Sequence, residues 1–188
     1  MLKNSLMAIS ALTLFVSSPA FADSISAEVR FSDIRDGNKP DATEYKVDYA
    51  AKLNSLFNYG AELTVKQGAN EGAITSRVAA RVGPRLPDVL GFHSEAYGEI
   101  GNNLKQSANF VFWGAGAKTK RQLYGPVSVL VGYRHREAFE GTSRLTENRI
   151  DGGLGLDTGS GNSVAVRYYR TTGTTRADAI GVSMNHNF

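Results

Sequence analysis

The chain has 188 residues, with 21 lysines and arginines against 18 aspartates and glutamates, three histidines and no cysteine. That length gives one domain with a core of its own. The near balance of charge removes the case for nucleic acid, and the lack of cysteine excludes disulfides and thiolate metal sites.

Residues 1–22 read as a secretory signal peptide: Lys3, an apolar run from Leu6 to Val16, then Ser17-Ser18-Pro19-Ala20-Phe21-Ala22 with small residues at the cleavage positions. The run is too short for a helix to span a bilayer core of ~30 Å. Cleavage after Ala22 leaves residues 23–188 as the folded domain.

From there on, side chains alternate with a period of two, and helical periodicity is not sustained. Ten strands are predicted. The first (Ser24 to Asp33) sets Ile25, Ala27, Val29 and Phe31 against Ser26, Glu28, Arg30 and Ser32. The second (Thr43 to Leu53) sets Tyr45, Val47 and Tyr49 against Glu44, Lys46, Asp48 and Lys52, and the third (Asn58 to Gln67) sets Tyr59, Leu63 and Val65 against Glu62, Thr64 and Lys66. The fourth (Ala73 to Gly83) carries Arg77 and Arg81 on its polar face; the fifth (Gly91 to Gly101) carries His93, Glu95, Tyr97 and Glu99. In the sixth, between Ala108 and Lys120, Trp113 is expected outside and Phe112, Gly114, Gly116 and Lys118 inside, but a slip of one residue reverses that assignment. The seventh (Val127 to Glu137), eighth (Thr146 to Asp157), ninth (Ser163 to Thr171) and tenth (Ala177 to Phe188) alternate clearly.

Segments rich in Gly, Pro, Asn and Asp separate the strands: Asp36-Gly37-Asn38-Lys39-Pro40, Gly68-Ala69-Asn70-Glu71-Gly72, Gly125-Pro126 and Gly159-Ser160-Gly161-Asn162. Strands of roughly 9 to 12 residues suit a tilted membrane crossing. With the chain starting on the periplasmic side, Phe31, Tyr45, Tyr133 and Tyr168 fall at one rim and Tyr59, Phe92 and Phe188 at the other, as aromatic girdles do. The expected fold is all-β, a transmembrane antiparallel up-and-down β-barrel of about ten strands, with eight or twelve as alternatives. A soluble sandwich or lipocalin-like barrel uses the same alternation with its apolar face inside.

The ending Ile180-Gly181-Val182-Ser183-Met184-Asn185-His186-Asn187-Phe188 resembles the C-terminal strand of bacterial outer-membrane β-barrel proteins, whose terminal aromatic serves the assembly machinery as a recognition signal. The resemblance assigns Phe188 that role and places the protein in the outer membrane of a Gram-negative cell. Two segments, Tyr59 to Gln67 and Val129 to Arg134, look like strands of the oligogalacturonate-specific porins. Those porins pass acidic oligosaccharides through a basic lumen and have twelve strands against the ten expected here.

Charged side chains are too costly on the lipid face, so they mark the lumen. Arg77, Arg81, Glu95, Glu99, Lys118, Arg134, Arg136, Arg149 and Arg167 are the expected pore-lining residues, with Arg134, Arg136, Arg149 and Arg167 as the most basic patch. Acidic residues gather on strands one, two, three and five, basic ones on six, seven and nine. Two functions follow. Either the barrel is a narrow, anion-leaning passive pore for small solutes, or the charges neutralise one another and the barrel is closed, with a structural or surface-contact role. The register allows Arg77 and Arg81 to meet Glu95 and Glu99 in a buried network.

The loops are short. Phe139 and Arg144 lie where lipopolysaccharide would touch them, or form an ordinary solvated loop. No ligand spacing suggests a metal and nothing calls for a cofactor. The string His93-Ser94-Glu95 invites comparison with lipid-modifying barrel enzymes, but neighbours on a strand point to opposite faces, so no catalytic residue is assigned. The expected partners are outer-membrane lipids and lipopolysaccharide, the barrel-assembly machinery and small solutes, with anions favoured.

Overall fold

The computed structural model describes residues 23–34, 42–68, 74–105, 109–139 and 145–188. The expected export signal at 1–22, the segment Asp36 to Pro40, most of Gly68 to Gly72, and Arg144 therefore lie outside the described residues.

Every regular element among the described residues is a strand: β1 (Ser24–Ile34), β2 (Ala42–Lys52), β3 (Phe57–Gly68), β4 (Ile74–Pro84), β5 (Phe92–Lys105), β6 (Phe110–Tyr124), β7 (Val127–Ala138), β8 (Thr146–Gly159), β9 (Asn162–Gly173) and β10 (Ala177–Asn187). Each pairs antiparallel with its chain neighbours, and β1 pairs with β10 to close the barrel. That closing seam runs unbroken from Ser24 opposite Asn187 to Ile34 opposite Ala177. Beside it, the Phe188 amide donates to the Asp23 carbonyl at 3.1 Å, which ties the two ends of the domain together. Closure removes every sheet edge, the condition for a sheet to cross hydrocarbon.

The period-two pattern decides which way the sheet faces. Val82, Val131, Ile150, Leu154, Val166, Val182 and Met184 are exposed on the outside, whereas Glu28, Arg30, Glu62, Glu99, Arg134, Arg136 and Arg149 are buried inside. This inverts the order of a soluble barrel. An apolar exterior around a charged interior is stable only where the surroundings are apolar as well.

The barrel has a terminal end, holding Asp23, Phe188 and four connections, and a loop end holding the other five. At the terminal end, Ser160 (φ 51°) and Gly161 (φ 75°) link β8 to β9. Two positive φ angles in a two-residue link give a mirror-image turn whose twist matches the strands it joins. Phe31, Tyr45, Trp113, Tyr133 and Tyr168 lie on the outside toward the loop end. Tyr59, Phe92 and Phe188 lie toward the terminal end, where the hydroxyls of Tyr49 and Tyr59 are 3.5 Å apart and His186 stacks edge-on against Phe188 at 4.5 Å.

Four details differ from expectation. β5 runs to Lys105 and β6 to Tyr124, because their ladders continue through Asn102, Asn103 and the polar segment after Lys120. Lys52 belongs to the terminal rim, where it is 57% exposed and pairs with Asp23 at 3.7 Å. Asp157 also leaves the lumen: it sits beside the β8–β9 turn, where it accepts the Gly159 amide at 2.9 Å. Conversely, Glu147 shares the inward face of β8 with Arg149 and joins the interior charges.

Candidate functional site: an ion-pair layer across the lumen

Alternation along β7 places Arg134 and Arg136 two residues apart and therefore both inward. Their partners lie across the barrel. Arg136 Nε donates to Glu99 Oε1 at 2.5 Å, and its Nη2 donates to Glu62 Oε1 at 2.8 Å and Glu99 Oε2 at 3.0 Å. Arg134 Nη1 donates to both oxygens of Glu62, at 3.0 and 3.2 Å. Glu62 is on β3, four strands from β7 in the ring of ten, so these bonds cross the lumen. The side chain of Arg136 is 0% exposed, with Glu62 at 1% and Glu99 at 0%.

The same layer continues around the wall. Lys46 Nζ reaches Glu62 at 3.2 Å and Asp48 at 2.8 Å, and Arg81 pairs with Asp48. Arg30 donates to Glu28 at 2.6 Å and to Glu44 at 2.5 Å; the Tyr169 hydroxyl also donates to Glu28. Glu147 gathers Arg149 at 3.0 Å, Arg77 at 3.4 Å and Arg134 at 3.6 Å. Aromatic faces fill the remaining space: Arg136 and Arg77 lie 4.9 and 5.6 Å from the Phe112 ring centroid, and Arg30 lies 4.2 Å from that of Tyr169. Charge-assisted, multiply bonded pairs of this kind are the strong ones, and in a water-poor interior each supports its neighbours.

The local sequence makes room for this packing. At Gly114 an added Cβ would lie 2.7 Å from Glu99 Oε1 and 2.6 Å from the His135 carbonyl, so only glycine lets the Glu99 carboxylate rest against β6 while it meets Arg136. Phe112 needs the same accommodation from Gly101 opposite, which settles the parity of β6: Phe112 is fully buried inside and Trp113 is outside.

Toward the terminal end the lumen opens into a cavity of about 330 Å³. Its walls carry Ser26, Ser128, Ser163, Ser183 and Asn185 among others, and it meets solvent beside His93, Glu95 and Lys118. Here the ion pairs are local: Lys118 to Glu95 at 2.9 Å and Arg167 to Asp151 at 3.2 Å.

All nine residues expected to line the interior face inward, but they divide between two environments. Arg77, Arg81, Glu99, Arg134, Arg136 and Arg149 belong to the layer; Glu95, Lys118 and Arg167 belong to the open cavity. The buried network foreseen around Arg77 and Arg81 exists with other pairings. Arg81 stands opposite Glu99 in register yet pairs with Asp48, and Arg77 crosses to Glu147. The basic and acidic walls meet at the layer instead of facing each other across water. Glu147 escaped the sequence reading; its parity with Arg149 and Asp151 was the signal that would have found it.

At the terminal rim His93 Nδ1 is 2.7 Å from Asp88 Oδ1, while Ser94 points to the lipid side and its hydroxyl meets that of Thr119 at 3.0 Å. The two faces keep His93 and Ser94 apart. Phe139 is exposed at the loop end.

No protein-family model and no curated protein sequence matches the chain. Among solved structures it is similar to the β domain of the Bordetella autotransporter BrkA, with 10% identity and a TM-score of 0.59 over 90% of this chain and 100% of that one. It is also similar to the translocator domain of the autotransporter NalP from Neisseria meningitidis, with 12% identity and a TM-score of 0.51 over 98% of each chain. The KdgM porin covers 88% of this chain and 99% of its own at 14% identity, with a TM-score of 0.49. The chain thus has the fold of the outer-membrane β-barrels.

Proposed function

We propose that this protein is a Gram-negative outer-membrane barrel, exported on residues 1–22 and assembled through Phe188, whose lumen is closed at rest by the ion-pair layer. The observation that carries this reading is the set of bonds from Arg136 and Arg134 on β7 to Glu62 on β3 and Glu99 on β5, with all these side chains buried. Ten strands lie near the small end of barrel sizes, where side chains fill the interior. Among the described residues, the buried part of the layer holds Glu28, Glu44, Asp48, Glu62, Glu99 and Glu147 against Arg30, Lys46, Arg77, Arg81, Arg134, Arg136 and Arg149, a nearly neutral set. A closed barrel of this kind is a structural or surface-contact element, with lipopolysaccharide touching the exposed Phe139.

A second reading, the narrow anion-leaning passive pore, is favoured by one observation: the layer is made of side chains only, and the cavity below it is lined by more cations than carboxylates. Displacing a few side chains would open a path past Arg134 and Arg149 for small solutes. Planar-bilayer recording of the refolded protein separates the two readings. The closed barrel gives no steady conductance; the pore gives discrete, anion-selective steps.

A further inference from the structure

We propose that the cavity at the terminal end is a binding site for a small oxyanion, a carboxylate or a phosphate, that enters from that end. The proposal rests on the closed reading in one respect: the layer makes the cavity a blind cup instead of a stretch of open pore.

The layer has two unlike sides. Arg134 and Arg149 line the cup, whereas the carboxylates that hold them, Glu62 and Glu147, do not. The cup therefore meets the cationic side of these pairs. Every carboxylate that does face the cup is already engaged: Glu28 by Arg30, Asp48 by Lys46 and Arg81, Glu95 by Lys118, Asp151 by Arg167. Lys120, also on the lining, has no ion-pair partner among the described residues.

The arginines are themselves incompletely satisfied. Arg134 and Arg149, each 7% exposed, turn only an edge of the guanidinium to the cup; Nε of each lies within the layer without a hydrogen-bond acceptor, and Nη2 of Arg134 is 3.6 Å from Glu147 Oε1. Arg30 and Arg167 each keep a buried Nε in the same state. The planar guanidinium fork matches carboxylate and phosphate oxygens, so the exposed edges of Arg134 and Arg149 are the groups an entering oxyanion meets. The wall from β1, β9 and β10 offers the hydroxyls of Ser24, Ser26, Ser163 and Ser183, neutral donors suited to the remaining oxygens. About 330 Å³ is at the small end of ligand pockets, ~300–1,000 Å³, so the cup takes a compact anion and not a long polymer.

Calorimetric titration of the protein refolded in zwitterionic detergent tests this, at constant ionic strength, with inorganic phosphate, succinate and neutral glycerol as separate probes. Phosphate, succinate or both are expected to bind, and which one does so identifies the source of the oxyanion. Lys120→Gln, at a partly exposed position the fold does not depend on, is expected to weaken binding about tenfold, the loss of one charge-assisted hydrogen bond. Arg149→Gln is expected to weaken it further, with circular dichroism confirming the barrel. The proposal is overturned if neither anion binds the wild type, if glycerol binds as well as they do, or if Lys120→Gln binds as tightly as the wild type. Binding is read without a membrane, so a conducting protein that binds phosphate refutes only the closed reading, and a silent protein that binds neither anion refutes only the cup.

Discussion

The two halves of the lumen are built from the same ten strands, yet one is filled and the other is not. Backbone geometry separates them little, since both are rungs of the same ten ladders, whose register among the described residues shifts only at the terminal rim, at Gln122/Tyr124 and Asp157/Gly159. Side-chain length does. At the level of Arg136 the inward positions carry Arg, Glu and Phe, whereas below it β7 offers Ser128 and Gly132, β8 Gly153 and Gly155, and β9 Ser163 and Ala165. A ten-stranded barrel is wide enough for either outcome, so closure here is a property of a few residues and is open to point mutation.

The largest effect is expected at Glu62. It receives Arg134, Arg136 and Lys46, so Glu62→Ala takes a carboxylate from three cations at once and leaves them only Glu147, Glu99 and Asp48 in a buried site. Stability should fall by about 3–5 kcal/mol, the usual cost of removing one member of a buried pair, read as a shift in the urea midpoint of the refolded barrel. A smaller loss is expected on the opposite face. Val166→Arg puts a charge at an outward, half-exposed position on β9 and should cost about 2–4 kcal/mol in lipid, read from the same folding equilibrium in vesicles. The smallest belongs to the open end. Glu95→Gln removes the partner of Lys118 in a pair that is 50% and 42% exposed, and should change stability by no more than about 1 kcal/mol. If Glu95→Gln cost as much as Glu62→Ala, the contrast between filled and open halves would be lost.

The strands and their faces were legible because a half-buried sheet writes a period of two, and charge on one face is costly to misplace in lipid. The parity of β6 was the weak point, since Phe112 and Trp113 are adjacent large aromatics and either can face lipid. What decides between them is Gly101 on β5, a space that only register reveals. Glu147 was hidden for a related reason: it lies at the start of β8 beside Thr146 and Asn148, where both faces are polar and no apolar residue marks the outside. The pairings were illegible for a deeper one. Arg81 and Glu99 are neighbours in register, but a guanidinium on a long stem can cross a narrow barrel, so its partner is set by closure and stagger.

The central claim is that the lumen is shut by side chains from β7 reaching β3 and β5. Planar-bilayer recording of the wild type beside Arg136→Ala tests it most directly. The account predicts a silent wild type and discrete conductance steps once Arg136, the side chain bonded to both Glu62 and Glu99, is removed. Steady, anion-selective current through the wild type would contradict it.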